Sequence, residues 1–342
     1  MITVIKPGLL TTIQDKGRWG YQAYGMPVAG TMDRYSYCVA NILAGNLCDA
    51  AVLEMTMLGG TFRFDTATWA AIGGADMQAR INGEKITNWS SFFAAPGSTL
   101  TFGYAENGCR SYLAVHGGID VPLVLGSRST YTRAGVGGLG GKALQVGSAL
   151  ALGTQSKLVG EARTLPAGFT PHYTSEFAVR VLLGPQDDLF AEEGITTFFN
   201  SRYILSTEAD RMGYRFEGPQ IKHRGAPDII SDALCQGAIQ VPGHGMPIIM
   251  MADRATTGGY AKLGAVIGPD LACLAQAKPG DVVKFILCSE EEAVEALQYE
   301  QERYHQLGAW RAAPLLETAK GRQYKLTING QCYDVKVEEV SS

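Results

Sequence analysis

Short runs of strand-forming residues, separated by glycine and proline turns, recur along most of this chain and restrict the folds open to it. Between residues 52 and 153 one strand pattern follows another, and the turns include Gly59-Gly60, Asn82-Gly83 and Pro96-Gly97. Asn-Gly favours a hairpin because both residues tolerate positive φ. Glycine supplies 42 of 342 residues, about 12% against an average of roughly 7%. The sequence therefore predicts a mainly β protein.

The strand pattern occurs in two stretches, which predicts two domains. The second stretch runs from residue 178 to residue 287, and residues 154–175 between the two have no clear period. A Pro-Gly turn followed by a strand occurs in both stretches, at 96–102 and 279–285, and is a weak sign of duplication. We predict a first domain in residues 1–155, a second in 156–288 and an extension in 289–342.

A few helices are predicted among the strands. Residues 33–44 and residues around 187–200 have helical spacing, and residues 290–306 form the clearest case. Ser289 and Glu292 have the spacing of a capping box at its start. Gly308 is expected to end this helix. In the tail, residues 324–338 alternate between apolar and polar around Asn-Gly, which predicts a separate β-hairpin.

Charge and cysteine usage exclude several classes of protein. The chain carries 29 basic and 33 acidic residues, for a net charge of −4, which gives no patch suited to nucleic acid or an anionic membrane. No apolar run approaches the ~20 residues that span a bilayer. Residues 1–8 lack the basic segment followed by an apolar segment that is typical of a signal peptide. Seven scattered cysteines without a C-x-x-C pair favour free thiols. We expect a cytoplasmic protein.

Several standard catalytic motifs are absent from the sequence. The residues around Lys142 do not fit the P-loop pattern, since position 136 is Val and Ala143 follows the lysine. No G-x-S-x-G or H-E-x-x-H occurs, and no Cys/His pairs have zinc spacing. No metal is therefore expected. The Met-Lys-Met acceptor is also missing, so no biotin is expected on this chain.

Four segments place charged, amide and hydroxyl side chains among glycines, which is the composition of a binding site. They cover residues 12–18, 116–130, 184–187 with 209–215, and 240–260. Guanidinium groups bind carboxylates in a bidentate manner, and glycine exposes backbone N–H groups to anions. A structural role stays open for each segment: a local ion pair near Asp15, a hydrogen-bonding His116, and pairing of Asp210 or Asp253 with a neighbouring arginine.

In this order the segments resemble the allophanate hydrolase subunit 2 family, also called the 5-oxoprolinase C-component or biotin-dependent carboxyltransferase family. The matching stretches lie within about residues 3–288. They are TTIQD (11–15), GTMD (30–33), AVHGGI (114–119), LGSRST (125–130), DRMGYR (210–215) and DRATTGGY (253–260). The resemblance implies two tandem cyclophilin-like β-barrels with a few short helices, followed by a C-terminal helix and hairpin.

The resemblance leaves three functions open. The favoured one is ATP-dependent opening of 5-oxoproline to glutamate, with a subunit 1 type partner (similar to the B component of 5-oxoprolinase) and a lactam-handling subunit. The second is carboxyl transfer from carboxybiotin to a urea or amide-like acceptor, with a biotin carrier and a biotin carboxylase as partners. The hairpin resembles the strands that lead into biotin carrier domains, and it is a candidate docking element. The third is a non-catalytic regulator that binds a kinase-inhibitor homologue.

Four residues are the candidates for catalysis. Arg211 would stabilise negative charge, Gln240 would orient the amide, and Asp253 or Tyr260 would relay a proton. Loss of Arg211 or Asp253 is expected to abolish turnover without unfolding the chain. The candidate substrate-binding residues are Gln14, Asp15, Arg18, His116, Arg128, Gln186, Asp210, Arg215, Thr256, Thr257, Gly258 and Gly259.

Overall fold

The computed structural model describes residues 1–154 and 161–310, and the backbone of 311–312, 322–328 and 331–337. The elements are mostly strands, which confirms the predicted fold class. The strands of the first half are β1 Ile2–Lys6, β2 Leu10–Gln14, β3 Val52–Thr56, β4 Thr61–Phe64, β5 Thr68–Gly74, β6 Arg80–Ile81, β7 Glu84–Lys85, β8 Ser90–Ala94, β9 Thr99–Thr101, β10 Arg110–Val115, β11 Ile119–Asp120 and β12 Ala149–Leu152.

These strands form two sheets that enclose one apolar core. The seven-stranded sheet has the order β11-β12-β1-β4-β9-β6-β7, and the five-stranded sheet has the order β2-β3-β10-β5-β8. Successive residues of a strand point to opposite faces. In β10, Leu113 and Val115 therefore join the core between the sheets, while Tyr112 and Ala114 pack on the outer face. The predicted hairpin at Asn82-Gly83 is present between β6 and β7.

Helix α1, Arg34–Leu43, covers that outer face of the five-stranded sheet. Asp33 begins the helix as its N-cap and accepts a hydrogen bond from the Ser36 backbone N–H at 2.9 Å. Apolar side chains of α1 pack with Tyr112 of β10, with Trp89 just before β8 and with Leu307 from the C-terminal helix. The helix predicted at 33–44 is confirmed.

The second half contains a closed seven-stranded barrel. Its strands run in the order β13-β20-β17-β18-β15-β14-β21, and β13 closes the barrel by pairing in parallel with β21. A two-stranded sheet, β16 with β19, lies outside this ladder. The strands are β13 Glu176–Leu183, β14 Arg202–Ala209, β15 Gly213–Glu217, β16 Asp228–Ala233, β17 Ala238–Gln240, β18 Ile248–Met250, β19 Thr257–Tyr260, β20 Lys262–Val266 and β21 Val282–Leu287.

Short helices close and flank the barrel. Helix α2, Glu192–Asn200, inserts Phe198 into the barrel core, where it stacks on Phe285 with ring centroids 4.5 Å apart. The prediction of a helix near 187–200 is confirmed, with its first residues in a 3₁₀ turn, Asp187–Leu189. Helix α3 is Leu271–Leu274. The remaining 3₁₀ turns are Gln22–Tyr24, Ala167–Phe169 and Gly268–Asp270.

The C-terminal helix α4, Glu290–Ala312, has the predicted start but not the predicted end. Ser289 and Glu292 form the capping box, with N–O distances of 2.8 and 3.2 Å. The helix continues past Gly308, where we expected it to stop, because Leu307 is buried and Trp310 packs against the same cluster. Tertiary packing of these side chains therefore outweighs the low helix propensity of glycine.

The predicted C-terminal hairpin is present as strands β22, Arg322–Ile328, and β23, Gln331–Val337, with Ile328 opposite Gln331. Its Asn-Gly turn lies outside the described residues. The predicted boundary at 155–156 also lies outside them, so the division into domains stays a prediction. Residues 161–169 belong to the stretch without a clear period, and they pack on the first half: the Leu165 N–H donates to the Trp89 carbonyl at 2.8 Å.

One disulfide corrects the expectation of free thiols. Cys38 on α1 is bonded to Cys48 in the loop after the helix, with their Cα atoms 4.6 Å apart. No local pattern indicates this pair, because the contact depends on how the chain turns after α1. Cys109, Cys235, Cys273 and Cys288 are free. No helix within residues 1–154 and 161–312 is long and apolar enough to cross a lipid bilayer.

Candidate functional site

A cavity of about 450 Å³ opens on the wall of the second-half barrel and gathers many of the predicted site residues. We call it the barrel cavity. Strands β14, β15, β17, β18 and β19 form its walls, and one residue of the first half, Arg133, reaches its edge. The predicted residues that line it are Asp210, Arg215, Gln240, Thr257, Gly258, Gly259 and Tyr260.

Gln240 is the most informative residue of the barrel cavity. It ends β17 and pairs with Ile248 of β18, and its side chain is 5% exposed. Its amide nitrogen Nε2 has no hydrogen-bond partner among the described residues. A buried unpaired donor of this kind costs about 1–3 kcal/mol. A ligand oxygen bound in the cavity would remove that cost.

Gly258 of β19 provides the space beside this amide. A Cβ at position 258 would stand 2.5 Å from Gln240 Nε2, which is too close for any real contact. Glycine is therefore required at 258 for Gln240 to hold its observed position. Gly259 is under no such restriction, since its nearest contacts would be 3.6 Å away.

Two arginines with weak partners lie at the mouth of the barrel cavity. Arg215 Nε is 3.2 Å from Glu208 Oε2, and Arg133 Nη2 is 3.6 Å from Asp210 Oδ2. All four of these side chains are well exposed, and exposed ion pairs contribute little to stability. Tyr260, 41% exposed, adds a hydroxyl group to the same opening. The opening can therefore present cationic donors to an incoming anion.

Asp210 begins the turn that carries Arg211 and precedes Arg215. Its Oδ1 accepts hydrogen bonds from the backbone N–H groups of Met212 (2.8 Å) and Gly213 (3.1 Å). These bonds fix the turn that leads from β14 into β15, as short aspartate side chains often do. Arg211 on this turn points into the protein, whereas Arg215 on β15 is exposed at the cavity. The guanidinium groups of Arg211 and Arg215 therefore do not face one common ligand position.

Arg211 is buried between the two halves and is fully engaged there. Its Nε and Nη2 donate to both oxygens of Asp253, at 3.0 and 2.8 Å. Nη1 donates to Glu54 of β3, and Nη2 also donates to the Gly30 carbonyl at 2.5 Å. We call Arg211, Asp253 and Glu54 the central latch. Asp253 thus pairs with Arg211, and Arg254, its expected neighbouring partner, donates to the Leu234 carbonyl instead.

Burial and the neighbouring carboxylates have opposite effects on the pKa of Arg211 in the central latch. Burial alone would lower the pKa of Arg211, but Asp253 and Glu54 more than reverse this and raise it above its ordinary value. The guanidinium is therefore charged at every accessible pH. Glu54, which the sequence did not single out, also accepts from the Met32 N–H (2.8 Å) and the Tyr112 hydroxyl (2.9 Å). Its position inside an apolar strand, Val52–Thr56, was the available signal.

The first predicted segment forms a separate buried cluster around Asp15. The hydroxyls of Ser127 and Ser129 each donate to Asp15 Oδ1 at 2.6 Å, and the Arg128 N–H donates to Oδ2 at 2.5 Å. Asp15 therefore fixes the 127–129 loop. Gln14 Nε2 donates to the Thr130 carbonyl at 3.1 Å in the same cluster.

Arg18 lies beside this cluster and is fully buried. Its Nη2 donates to the Ser129 carbonyl, while Nε and Nη1 have no partner among the described residues. Burial lowers the pKa of Arg18, an effect that Asp15 and Asp253 partly offset. No residue of the Asp15 cluster lines the barrel cavity.

The other predicted residues make hydrogen bonds or ion pairs with neighbouring loops and strands. His116 Nδ1 is 3.1 Å from the Ala44 carbonyl, and Gln186 Oε1 accepts from the Lys262 N–H at 2.9 Å. Arg128 pairs with Asp120 at 3.1 Å. The Thr256 carbonyl accepts from the Leu234 N–H at 3.0 Å. The barrel cavity therefore collects one group of the predicted residues, and the rest lie elsewhere in the structure, several of them in the first half. Their functional roles stay predictions.

Comparison with known proteins agrees with this architecture. The family described as carboxyltransferase domain, subdomain A and B, matches residues 24–287. The chain is 38% identical to the 5-oxoprolinase C component of Escherichia coli (strain K12) over 312 residues, which cover 91% of this chain and 98% of that protein. It is 32% identical to the Haemophilus influenzae protein of the same name over 293 residues, covering 86% and 93%.

A solved structure shows the same fold within a much longer protein. The crystal structure of the K. lactis urea amidolyase superposes with a TM-score of 0.85 at 30% identity, covering 90% of this chain. This chain spans 20% of that protein. The family match covers well over half of the chain, and the similarity to the E. coli protein extends over nearly its whole length. The chain belongs to the carboxyltransferase domain family that contains subdomains A and B.

Proposed function

We propose that this chain is the carboxyltransferase-type subunit of an ATP-dependent 5-oxoprolinase, which opens the lactam ring of 5-oxoproline to give glutamate. The observation that carries the proposal is the 38% identity over 98% of the C component of the E. coli 5-oxoprolinase. In the net reaction water adds to the lactam carbonyl, the ring C–N bond breaks, and ATP is hydrolysed alongside. The barrel cavity has the size and polarity for so small a substrate.

The proposal includes partners: the residues that line the barrel cavity would bind and orient the substrate, and other subunits would complete the reaction. A subunit 1 type homologue would assemble with this chain, and a lactam-handling subunit would complete the enzyme in the cytoplasm. ATP would enter as a co-substrate of that complex. The sequence lacks a P-loop, so we do not place ATP on any residue of this chain.

Within the barrel cavity the residues have distinct proposed roles. Gln240 Nε2 would donate to the substrate carbonyl oxygen and hold it as negative charge develops there. Tyr260, at the opening, would relay a proton. Asp253 and Arg211 would act at a distance, as positioning residues that hold the second-half barrel against the first half.

Turnover by the reconstituted complex tests the proposal. The chain would be co-expressed with the subunit 1 type and lactam-handling proteins of the same source, and glutamate and ADP would be measured with and without 5-oxoproline. We expect glutamate formation that requires ATP and all three proteins and is insensitive to avidin. Absence of 5-oxoproline-dependent ATP hydrolysis in a well-folded complex would contradict the proposal, and would favour a binding-only regulator.

Carboxyl transfer is the second candidate, supported by the TM-score of 0.85 to the K. lactis urea amidolyase. Carboxybiotin from a separate carrier would supply the carboxyl group, and Gln240 Nε2 could equally hold its ureido oxygen. In the same assay this function predicts avidin-sensitive, bicarbonate-dependent ATP hydrolysis in the presence of a biotin carboxylase and a urea-like acceptor. Co-purification with a biotinylated carrier would add to that result.

A further inference from the structure

We propose that the barrel cavity binds a ligand carrying both an amide-type carbonyl and a carboxylate, with Gln240 holding the carbonyl and Arg215 and Arg133 holding the carboxylate. This inference rests on the proposed function and deepens it by assigning each end of the substrate to named residues. It also separates 5-oxoproline, which has a carboxylate, from urea, which has none.

The carbonyl end follows from Gln240. Its backbone is fixed on two sides by β18 and β20, and a register irregularity between Ile239 and Gln240 turns the end of β17. The side chain is buried, and its Nε2 donor is unpaired within the part of the chain that the structure describes. An acceptor that enters the cavity beside Gly258 would give this nitrogen its missing hydrogen bond.

The carboxylate end follows from the two arginines at the opening. The ion pair of Arg215 uses its Nε, and that of Arg133 uses one Nη nitrogen. Their partners Glu208 and Asp210 have side chains that are 76% and 59% exposed. A ligand carboxylate can displace such exposed partners, because guanidinium groups bind a carboxylate through two parallel hydrogen bonds.

The loop that carries Arg133 is well ordered by its own contacts. Residues 131–141, which we call the glycine loop, are closed by a pair of backbone hydrogen bonds between Tyr131 and Val136, at 2.8 and 3.1 Å. Gly141 packs on the backbone of Gly135 so closely that a Cβ there would stand 1.9 Å from the Gly135 carbonyl carbon. The first half therefore holds Arg133 at the edge of a cavity built by the second half.

A matched pair of ligands tests the assignment. 5-Oxoproline and its neutral carboxamide differ only in the carboxylate, and each would be titrated calorimetrically into the complex of the full chain with its subunit 1 type partner. We expect the wild-type complex to bind 5-oxoproline at least about tenfold more tightly than the carboxamide. Arg215→Ala should remove most of this preference, Arg133→Ala should reduce it, and Gln240→Leu should weaken binding of both ligands.

The control variant is Arg202→Ala, which removes an exposed arginine of the same barrel that pairs with Glu176 outside the cavity. It should bind both ligands as the wild type does. Circular dichroism would confirm that each variant folds, and Arg215→Lys should restore part of the preference. Equal affinity of the wild type for the two ligands, absence of binding, or a preference that survives both arginine variants would overturn the inference.

Turnover measured on the same samples separates the two proposals. Arginine-dependent binding of 5-oxoproline without its conversion to glutamate would contradict the proposed function and leave the binding assignment intact. Conversion to glutamate with arginine-independent binding would overturn the assignment alone.

Discussion

Buried polar side chains in this protein differ in whether their hydrogen bonds are complete. Arg211 donates to Asp253, Glu54 and the Gly30 carbonyl, so that each of its nitrogen atoms has a partner. Gln240 leaves a donor unpaired at the wall of a cavity. Completed networks hold a fold together, whereas an incomplete one leaves room for a ligand. Because the unpaired donor of Gln240 faces a cavity, this contrast supports the proposed binding role of Gln240 and a structural role for Arg211.

The central latch leads to a prediction about stability. We expect Arg211→Ala to lower the free energy of unfolding by about 3–5 kcal/mol, because it leaves two carboxylates buried without their cation. Urea unfolding followed by circular dichroism measures the change. Arg202→Ala, which removes only an exposed ion pair, should change it by less than about 1 kcal/mol. Unchanged stability with lost turnover would instead support the catalytic role that the sequence suggested for Arg211.

A second prediction concerns the space beside Gln240. In Gly258→Ala the new Cβ would meet Gln240 Nε2 at 2.5 Å and Leu234 Cδ1 at 2.9 Å, so the Gln240 side chain must move. We expect the KM for 5-oxoproline in the complex to rise about tenfold, as expected when a substrate hydrogen bond is lost. The control Gly268→Ala adds the same methyl group where no atom lies within 4 Å, outside the barrel cavity. A wild-type KM in Gly258→Ala would show that Gln240 does not contact the substrate.

Among the elements, the β16–β19 sheet lies outside the barrel ladder and contributes part of the wall of the barrel cavity. Strand β19 supplies Gly258 and Tyr260, and β16 pairs with it from outside. Lys262 at the start of β20 donates from Nζ to Asp232 Oδ2 on β16 at 2.8 Å. The hydrogen bond from Lys262 holds the pKa of Asp232 below its ordinary value of 3.8.

This ion pair predicts a pH dependence. Because the folded-state pKa of Asp232 is lowered, its stabilisation is complete above about pH 5 and is lost as the pH falls through that lowered pKa. We expect wild type to melt at a higher temperature than Asp232→Asn at pH 7, with the two melting temperatures converging as the pH falls through the lowered pKa of Asp232. Thermal unfolding by circular dichroism measures this.

Asp228→Asn, at the other end of β16, is the matched control for that comparison. No ion pair involves Asp228 in residues 1–154 and 161–310. The melting temperature of Asp228→Asn should therefore equal that of the wild type at each pH. A difference between wild type and Asp232→Asn that stays constant until the acid unfolding of both proteins would show that the carboxylate is not the source of the stabilisation.

The sequence predicts a helix start or a turn well where the hydrogen bonds that form it join residues close together in the chain. The capping box at Ser289 and the Asn82-Gly83 turn are in place because their hydrogen bonds and backbone angles are local. Gly308 was misjudged as a helix end because burial of Leu307, a distant contact, decides the outcome. The Cys38–Cys48 bond was missed for the same reason.

For the whole molecule, contacts between the two halves determine where the candidate site residues lie. Gln276 of the second half accepts from the Cys109 and Arg110 N–H groups at 2.9 Å and donates to Asp33 at 2.7 Å. Together with the central latch, these contacts hold the halves in one arrangement. Sequence motifs identified Arg211, Asp253 and Gln240 as candidates for one site. They could not show that Arg211 and Asp253 are buried in the central latch while Gln240 lines the barrel cavity. That placement depends on Glu54, which lies 157 residues from Arg211 along the chain.

If the barrel cavity is the substrate site, a crystal structure of the complex with 5-oxoproline will show it. We predict the ligand inside the cavity, with its carbonyl oxygen within hydrogen-bond distance of Gln240 Nε2 and its carboxylate facing Arg215. A ligand bound elsewhere, with the cavity empty and the Gln240 amide still unpaired, would contradict this assignment.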